Sequence, residues 1–218
     1  GWNNDFRYAI KDFVRGRADR NWVKKVIAGS TDIWTANPLQ AVNYVESHDD
    51  MALVDELSGR PDRDGRHVSD VEAMMNRLCA AVLFTSAGIP MIGEGQEFLR
   101  SKRGISNTFD RGDEFNALNW SERSRPLAAA TQRFYADLAK LRRSPEGAAF
   151  CVKEVPAGYL QWIEPADGRL LGVLVNAGHL RPGRAFVVLF ERRARETTVR
   201  PASAKCPSAW SGSASPTR

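Results

Sequence analysis

No stretch of this 218-residue chain approaches 18 uninterrupted apolar residues, so the sequence predicts no membrane-spanning helix. Cysteine is scarce: Cys79, Cys151 and Cys206 form no CxxC pair and have no histidine at ligand spacing. That pattern indicates neither a disulfide framework nor a zinc site. Cys79 falls in an apolar helical stretch and reads as a small core residue. The opening GWNNDFRYAIKDFVRG has none of the basic, apolar and small-residue regions of a signal peptide. It starts on Gly1 rather than Met, the pattern of a piece cut from a longer chain, and a cytoplasmic or a secreted parent both fit.

Surplus charge is also missing from most of the chain. The formal net charge is +5, yet residues 191–218 carry six Lys or Arg against two Glu, which is +4 of it. The body is therefore nearly neutral, and its aromatics are not interleaved with basic residues. Neither a broad phosphate-binding face nor a single-strand groove is expected, so no nucleic-acid partner and no membrane partner is predicted.

What the chain does have is patterning, and its 43% hydrophobic content is ordinary for a globular core. Phe6, Ile10, Phe13 and Val14 recur at helical spacing and predict an amphipathic helix over 5–14, ended by Gly16. NWVKKVIAGSTDIW is less regular, with a loop at Gly29, Ser30 and Thr31. QAVNYVE reads as a short buried strand. A long apolar helix is predicted over about 68–85 with Ser69 as N-cap, broken by Gly88. GIPMIG then starts a second short buried strand before an acidic, glycine-rich loop. Such alternation predicts a parallel sheet or barrel with its site at the C-terminal ends of the strands. A polar loop over 100–119 leads to a helix begun by Pro126, with Leu127, Phe134, Leu138 and Leu141 on one face and Gly147 closing it. AGYLQWIEP, RLLGVLVNAG and RAFVVLFERR change to a β period, separated by ADG and HLRPG turns. The Ser-, Ala- and Pro-rich end predicts a disordered tail.

NYVESHDD, residues 43–50, raises the functional question, because an extended run ends on His48, Asp49 and Asp50. Two readings of the residues themselves stay open. Asp49 could cap a helix suggested by MALVDEL while His48 packs; alternatively the carboxylate faces a cleft and the imidazole hydrogen-bonds a polar substrate, with no metal needed.

VNYVESHDD followed by ALVDEL resembles the fourth conserved region of the alpha-amylase family of glycoside hydrolases, in its pullulanase and isoamylase branch. LFTSAGIPMIGEGQEFLRSKRGISNTF is similar to that branch's eighth barrel strand and following loop. DEFNALNW, the LAKLRRS helix and the β-rich end continue the same order. The opening WNNDFRYAIKDFVRG is similar to a helix that follows the branch's fifth strand. The resemblance implies an α/β fold: the C-terminal part of a TIM (β/α)8 barrel over 1–147, a small antiparallel β-sandwich domain over 148–200, and a tail over 201–218.

It also implies retaining hydrolysis of α-1,6 linkages in pullulan, starch or glycogen, with an aspartate nucleophile, a glutamic acid/base and a third, assisting carboxylate. By motif, Asp49 takes the third role, His48 hydrogen-bonds sugar hydroxyls, and Asp50 stands where the branch often has Asn. Gln96 and Glu97 are candidate supports of the site. No segment resembles the nucleophile or the acid/base, whose strands lie upstream. Glu46 and Glu94 have blander readings, and so do the sugar-stacking candidates Trp2, Trp22, Trp34 and Trp120. The expected partner is an α-glucan; no cofactor is called for, and calcium in a parent enzyme stays open. The chain alone is expected to be inactive. The alternative is a noncatalytic carbohydrate-binding or scaffold remnant of the same barrel.

Overall fold

Asn3 ties three parts of the fold together. Its Oδ1 accepts the N–H of Phe6 and so caps the first helix. Its Nδ2 donates to Asn43 Oδ1 at 2.8 Å and to Ser30 Oγ at 2.9 Å, all of them buried. Asn43 Nδ2 continues the chain of bonds to the carbonyl of Ala87. These amides connect three short strands, β1 (Trp2–Asn3), β2 (Val42–Asn43) and β3 (Ile89–Pro90). The computed structural model describes residues 1–58, 68–166, 168–192 and 200–201.

The three strands form one parallel sheet in the order β1-β2-β3, with Trp2 opposite Val42 and Val42 opposite Ile89. Helices α1 (Asn4–Val14) and α2 (Arg20–Ile27) separate the first two strands; α3 (Leu53–Ser58) and α4 (Asp70–Thr85) separate the next two. This is the predicted βα alternation, with differences in detail. The strand expected over QAVNYVE is laddered only at Val42 and Asn43, because from Tyr44 the backbone bends away and carries Glu46 to the start of α3. The second strand is not buried: Ile89 is 44% exposed at the edge of the sheet, where Pro90 can be tolerated without an N–H. The stretch after Asp19 is more regular than its sequence suggests. Asp19 accepts the N–H of Asn21, and α2 buries Val23, Val26 and Ile27.

Ser69 does cap α4, in a reciprocal box with Glu72. Gly88, at φ +122°, has no room for a side chain: a Cβ would stand 2.6 Å from the Asn43 amide nitrogen. Beyond β3 come a 3-10 turn at Gln96–Phe98, the short helix α5 (Asp113–Asn116) inside the polar loop, and the long helix α6 (Pro126–Arg143). The buried face of α6 is Ala128, Thr131, Tyr135, Leu138 and Arg142, one step round from the face predicted, of which only Leu138 is fully buried. Polar Thr131, Tyr135 and Arg142 mask that face from a hydrophobicity pattern. The helix ends at Arg143; Gly147 serves a later 3-10 turn, where a Cβ would meet Leu141 O at 1.9 Å.

Arg142 marks the seam between the two halves. Its guanidinium donates to the carbonyls of Phe84, Ser86, Gly88 and Phe150, joining the end of α4 and the approach to β3 to the segment that leads into the β region.

That region is one antiparallel sheet, β4 (Leu160–Ile163), β5 (Leu170–Val175), β6 (Phe186–Glu191) and β7 (Arg200–Pro201), paired in sequence order. Among the described residues no second sheet faces it. Its inward residues Leu171, Val173, Val175, Phe186, Val188 and Phe190 instead join one apolar core with Phe6, Phe13, Val23 and Val82 of the helices. The β-rich runs expected from the sequence are thus strands, whereas the layer they pack against is helical. Of the predicted disordered tail over 201–218, Pro201 belongs to β7, and residues 202–218, with Cys206, lie outside the described residues.

Candidate functional site

Residues 44–50 leave β2 at the C-terminal end of the middle strand of the parallel sheet, the place where open α/β architectures gather their ligands. Their burial changes sharply along the run. Tyr44, Val45, Glu46 and Ser47 are buried; His48 and Asp49 are not. The side chains of His48 and Asp49 are 76% and 64% exposed, and His48 Nε2 lies 3.4 Å from Asp49 Oδ1. The Trp2 ring, half exposed, meets the imidazole edge-on with centroids 5.7 Å apart, and meets the Tyr44 ring edge-on at 5.4 Å.

The helix-cap reading of Asp49 does not hold. Helix α3 begins at Leu53, and its first N–H is taken by Glu46 Oε2 at 2.6 Å. Glu46 is wholly inside the protein, and burial pushes its carboxyl up to about 7, against the lowering influence of the Leu53 N–H, Arg100 and Lys102. Gly93 makes room for it, since a Cβ there would lie within 2.9 Å of the Glu46 side chain. A carboxyl so enclosed cannot face a sugar. Glu94 is exposed in the loop beyond β3.

Asp50 adopts the left-handed conformation, φ +62°. Its Oδ2 meets Arg7 Nη2 at 3.0 Å, and its N–H donates to Asn107 Oδ1 at 3.2 Å. Arg7 is buried on α1 beneath Tyr44. Burial works against its charge, but Asp50, with Tyr44 and Glu56, holds its pKa above the ordinary arginine value. Lys102 Nζ donates to the carbonyls of both His48 and Asp50 at 3.0 Å.

Gln96 lies deeper. Its Oε1 accepts the Gly93 N–H at 3.1 Å and its Nε2 donates to Tyr135 Oη, which in turn donates to Asn76 Oδ1, each of these at 2.8 Å. It braces the loop after β3 against α4 and α6 and does not reach the exposed pair. Glu97 is half buried in the same turn. Trp22, Trp34 and Trp120 are each partly exposed, on other elements.

His48, Asp49 and Asp50 therefore stand together, with Gln96 and Glu97 behind the neighbouring strand. Arg7, Lys102 and Asn107 were missed in the sequence reading. Lys102 and Asn107 fall in the SKRGISNTF segment that resembles the loop after the eighth strand, but neither residue type announces a main-chain partner. Chemically, the exposed pair offers a carboxylate and an imidazole to a neutral polyol. Among the described residues no group of His, Cys, Asp and Glu is arranged to hold a metal ion.

No protein-family model matches the chain. A pullulanase of Bacillus subtilis (strain 168) is 35% identical over 129 residues, 55% of this chain and 17% of that protein. A glycogen debranching enzyme of Cronobacter sakazakii (strain ATCC BAA-894) is 27% identical over 212 aligned residues, 83% of this chain and 30% of that protein. Among solved structures, a pullulanase of Paenibacillus barengoltzii in complex with maltohexaose and alpha-cyclodextrin superposes with a TM-score of 0.72 at 27% identity. The match covers 88% of this chain and 31% of that one. A pullulanase of Anoxybacillus sp. LM18-11 complexed with maltotetraose gives 0.72 at 25% identity, covering 88% and 29%. The chain spans less than a third of the length of these relatives. The curated relatives and solved structures that the chain resembles are pullulanases and glycogen debranching enzymes.

Proposed function

We propose that the chain supplies the substrate-side wall of an α-glucan debranching enzyme, cleaving α-1,6 linkages of pullulan, starch or glycogen with retention. The observation that carries this reading is the exposed His48–Asp49 pair at the C-terminal end of the middle parallel strand. Asp49 is the assisting carboxylate: an anion beside the reacting sugar favours the oxocarbenium-like transition state over the ground state. His48 holds a sugar hydroxyl through its imidazole, and Asp50 touches the sugar with the exposed rim of its carboxylate. Trp2, packed edge-on to His48, limits the rotation of that ring.

On this reading residues 1–147 are the closing part of a (β/α)8 barrel and 148–200 a C-terminal β domain. The nucleophile and the acid/base belong to strands outside this chain. Support comes from the partial span of the relatives and from the burial of Glu46, which removes the nearest substitute. Without a covalent nucleophile and a proton donor, catalysis falls by several orders of magnitude.

The test is direct. The purified 218-residue chain is expected to release no reducing sugar from pullulan, while the Asp49→Ala change in a protein carrying the missing strands abolishes hydrolysis. Hydrolysis by the chain alone that disappears with Asp49→Ala would overturn the division of the machinery. Full activity of the longer protein with Asp49→Ala would overturn the role of Asp49.

A further inference from the structure

Lys102 is only 3% exposed, although lysine is among the side chains least often enclosed. Its ammonium makes no ion pair within bonding distance in the described structure. It binds instead two main-chain carbonyls, those of His48 and Asp50, both at 3.0 Å. Those carbonyls bracket Asp49. The root of the side chain is equally fixed: the Lys102 N–H donates to Asp55 Oδ2 at 2.7 Å, and Ser101 Oγ donates to Asp55 Oδ1 at 2.5 Å, with Asp55 buried on α3. Five residues on, Asn107 Oδ1 takes the Asp50 N–H. One loop thus engages three main-chain groups of residues 48–50, and Arg7 secures the Asp50 side chain from α1.

A bend that only needed its carbonyls satisfied could leave them to water. A buried ammonium costs desolvation, felt here as a lowering of its pKa by burial and by Arg100, with Glu46, Asp49 and Asp50 acting in the opposite sense. In exchange it ties two carbonyls to a covalently anchored point on the loop after β3, whereas a bridging water would join them to each other without that anchor.

We propose that Lys102 is the positioning residue of this site: by binding the carbonyls on either side of Asp49, it sets the direction in which the Asp49 carboxylate and His48 imidazole face a sugar. The proposal rests on the reading of those two side chains as sugar-facing groups. Lys102 itself does not touch the sugar; it acts through the backbone.

The test uses the isotopically labelled 218-residue chain and its Lys102→Met and Lys102→Arg variants, with maltotriose as probe. The first readout is the backbone conformation of Asp50, whose left-handed geometry has distinctive couplings and carbon shifts. The second is maltotriose affinity from the shifts of the His48 ring; amide-exchange protection of β5 and β6 reports whether the fold is kept. With the fold kept, Lys102→Met is expected to lose the Asp50 signature and to weaken maltotriose binding roughly tenfold or more, the usual scale for removing a support behind a ligand-facing group. Lys102→Arg, which keeps charge and donors, is expected to recover part of both. Wild-type Asp50 geometry in Lys102→Met overturns the proposal. Should Lys102→Met not fold, Lys102→Arg decides: shifts confined to residues 48–50 support the proposal, and none there refutes it. If the wild-type chain takes up no maltotriose, the sugar-facing reading fails, while the Asp50 readout still judges Lys102.

Discussion

Glu46 and Asp49 are three residues apart and chemically alike, yet the fold separates them by environment. Asp49 opens to solvent; Glu46 sits inside with its carboxyl raised to about 7. The raised value has a definite sign. Between the ordinary glutamate range and about 7 the folded chain binds a proton that the unfolded chain releases. The stability Glu46 contributes is therefore complete below that range and is lost as pH rises through about 7. Glu46→Gln keeps an oxygen for the Leu53 N–H and has no proton to lose. The variant is expected to match the wild type near pH 5 and to exceed it near pH 8, by a margin on the order of 1–3 kcal/mol, since each pKa unit is worth about 1.4 kcal/mol. Thermal melts of both proteins across that range check it. A wild-type disadvantage that does not grow with pH would show that Glu46 is not titrating there.

At the scale of elements, the loop after β3 depends on a buried polar relay from α4 through α6, Asn76 to Tyr135 to Gln96. Tyr135→Phe leaves the Gln96 donor and the Asn76 acceptor without that hydroxyl, at an expected cost of about 1–3 kcal/mol. The melting temperature should fall by several degrees, read by calorimetry. This relay also shows what a sequence can and cannot disclose. Helix α1 was legible from its apolar spacing and α4 from its apolar run and the Ser69 cap, because such signals are local and can be read without knowing any distant neighbour. The buried face of α6 was not, because Thr131, Tyr135 and Arg142 are polar and are buried only by partners far along the chain. The same holds for the site. His48 and Asp49 stood out as residue types at a strand end. Lys102, Arg7 and Asn107 matter through contacts with residues 48–50 that arise only when the sheet brings their loops together. Strand lengths were overstated for a related reason, since Tyr44 and Val45 are apolar enough for a strand yet are buried in a bend.

For the whole molecule, the shared core joins the helical part and the antiparallel sheet into a single apolar body. Phe190, fully buried, contributes from the sheet side and Phe6 from the helical side. Unfolding is accordingly expected as one cooperative transition across both parts. Phe190→Ala should destabilise the chain by about 3–5 kcal/mol and lower the near-neighbour protection of α1 along with that of the sheet, measured by amide exchange. Two separate transitions, with only the sheet affected, would refute the single core. The seam at Arg142 adds a property that surface charges lack. Pairs such as Lys140–Asp137 and Arg125–Glu122 sit in water and weaken as ionic strength rises. Arg142 is buried and is held by the peptide dipoles of Phe84, Ser86, Gly88 and Phe150, which neither titrate nor exchange for counterions. The joint between the two halves should therefore keep its geometry in brine and in dilute buffer alike.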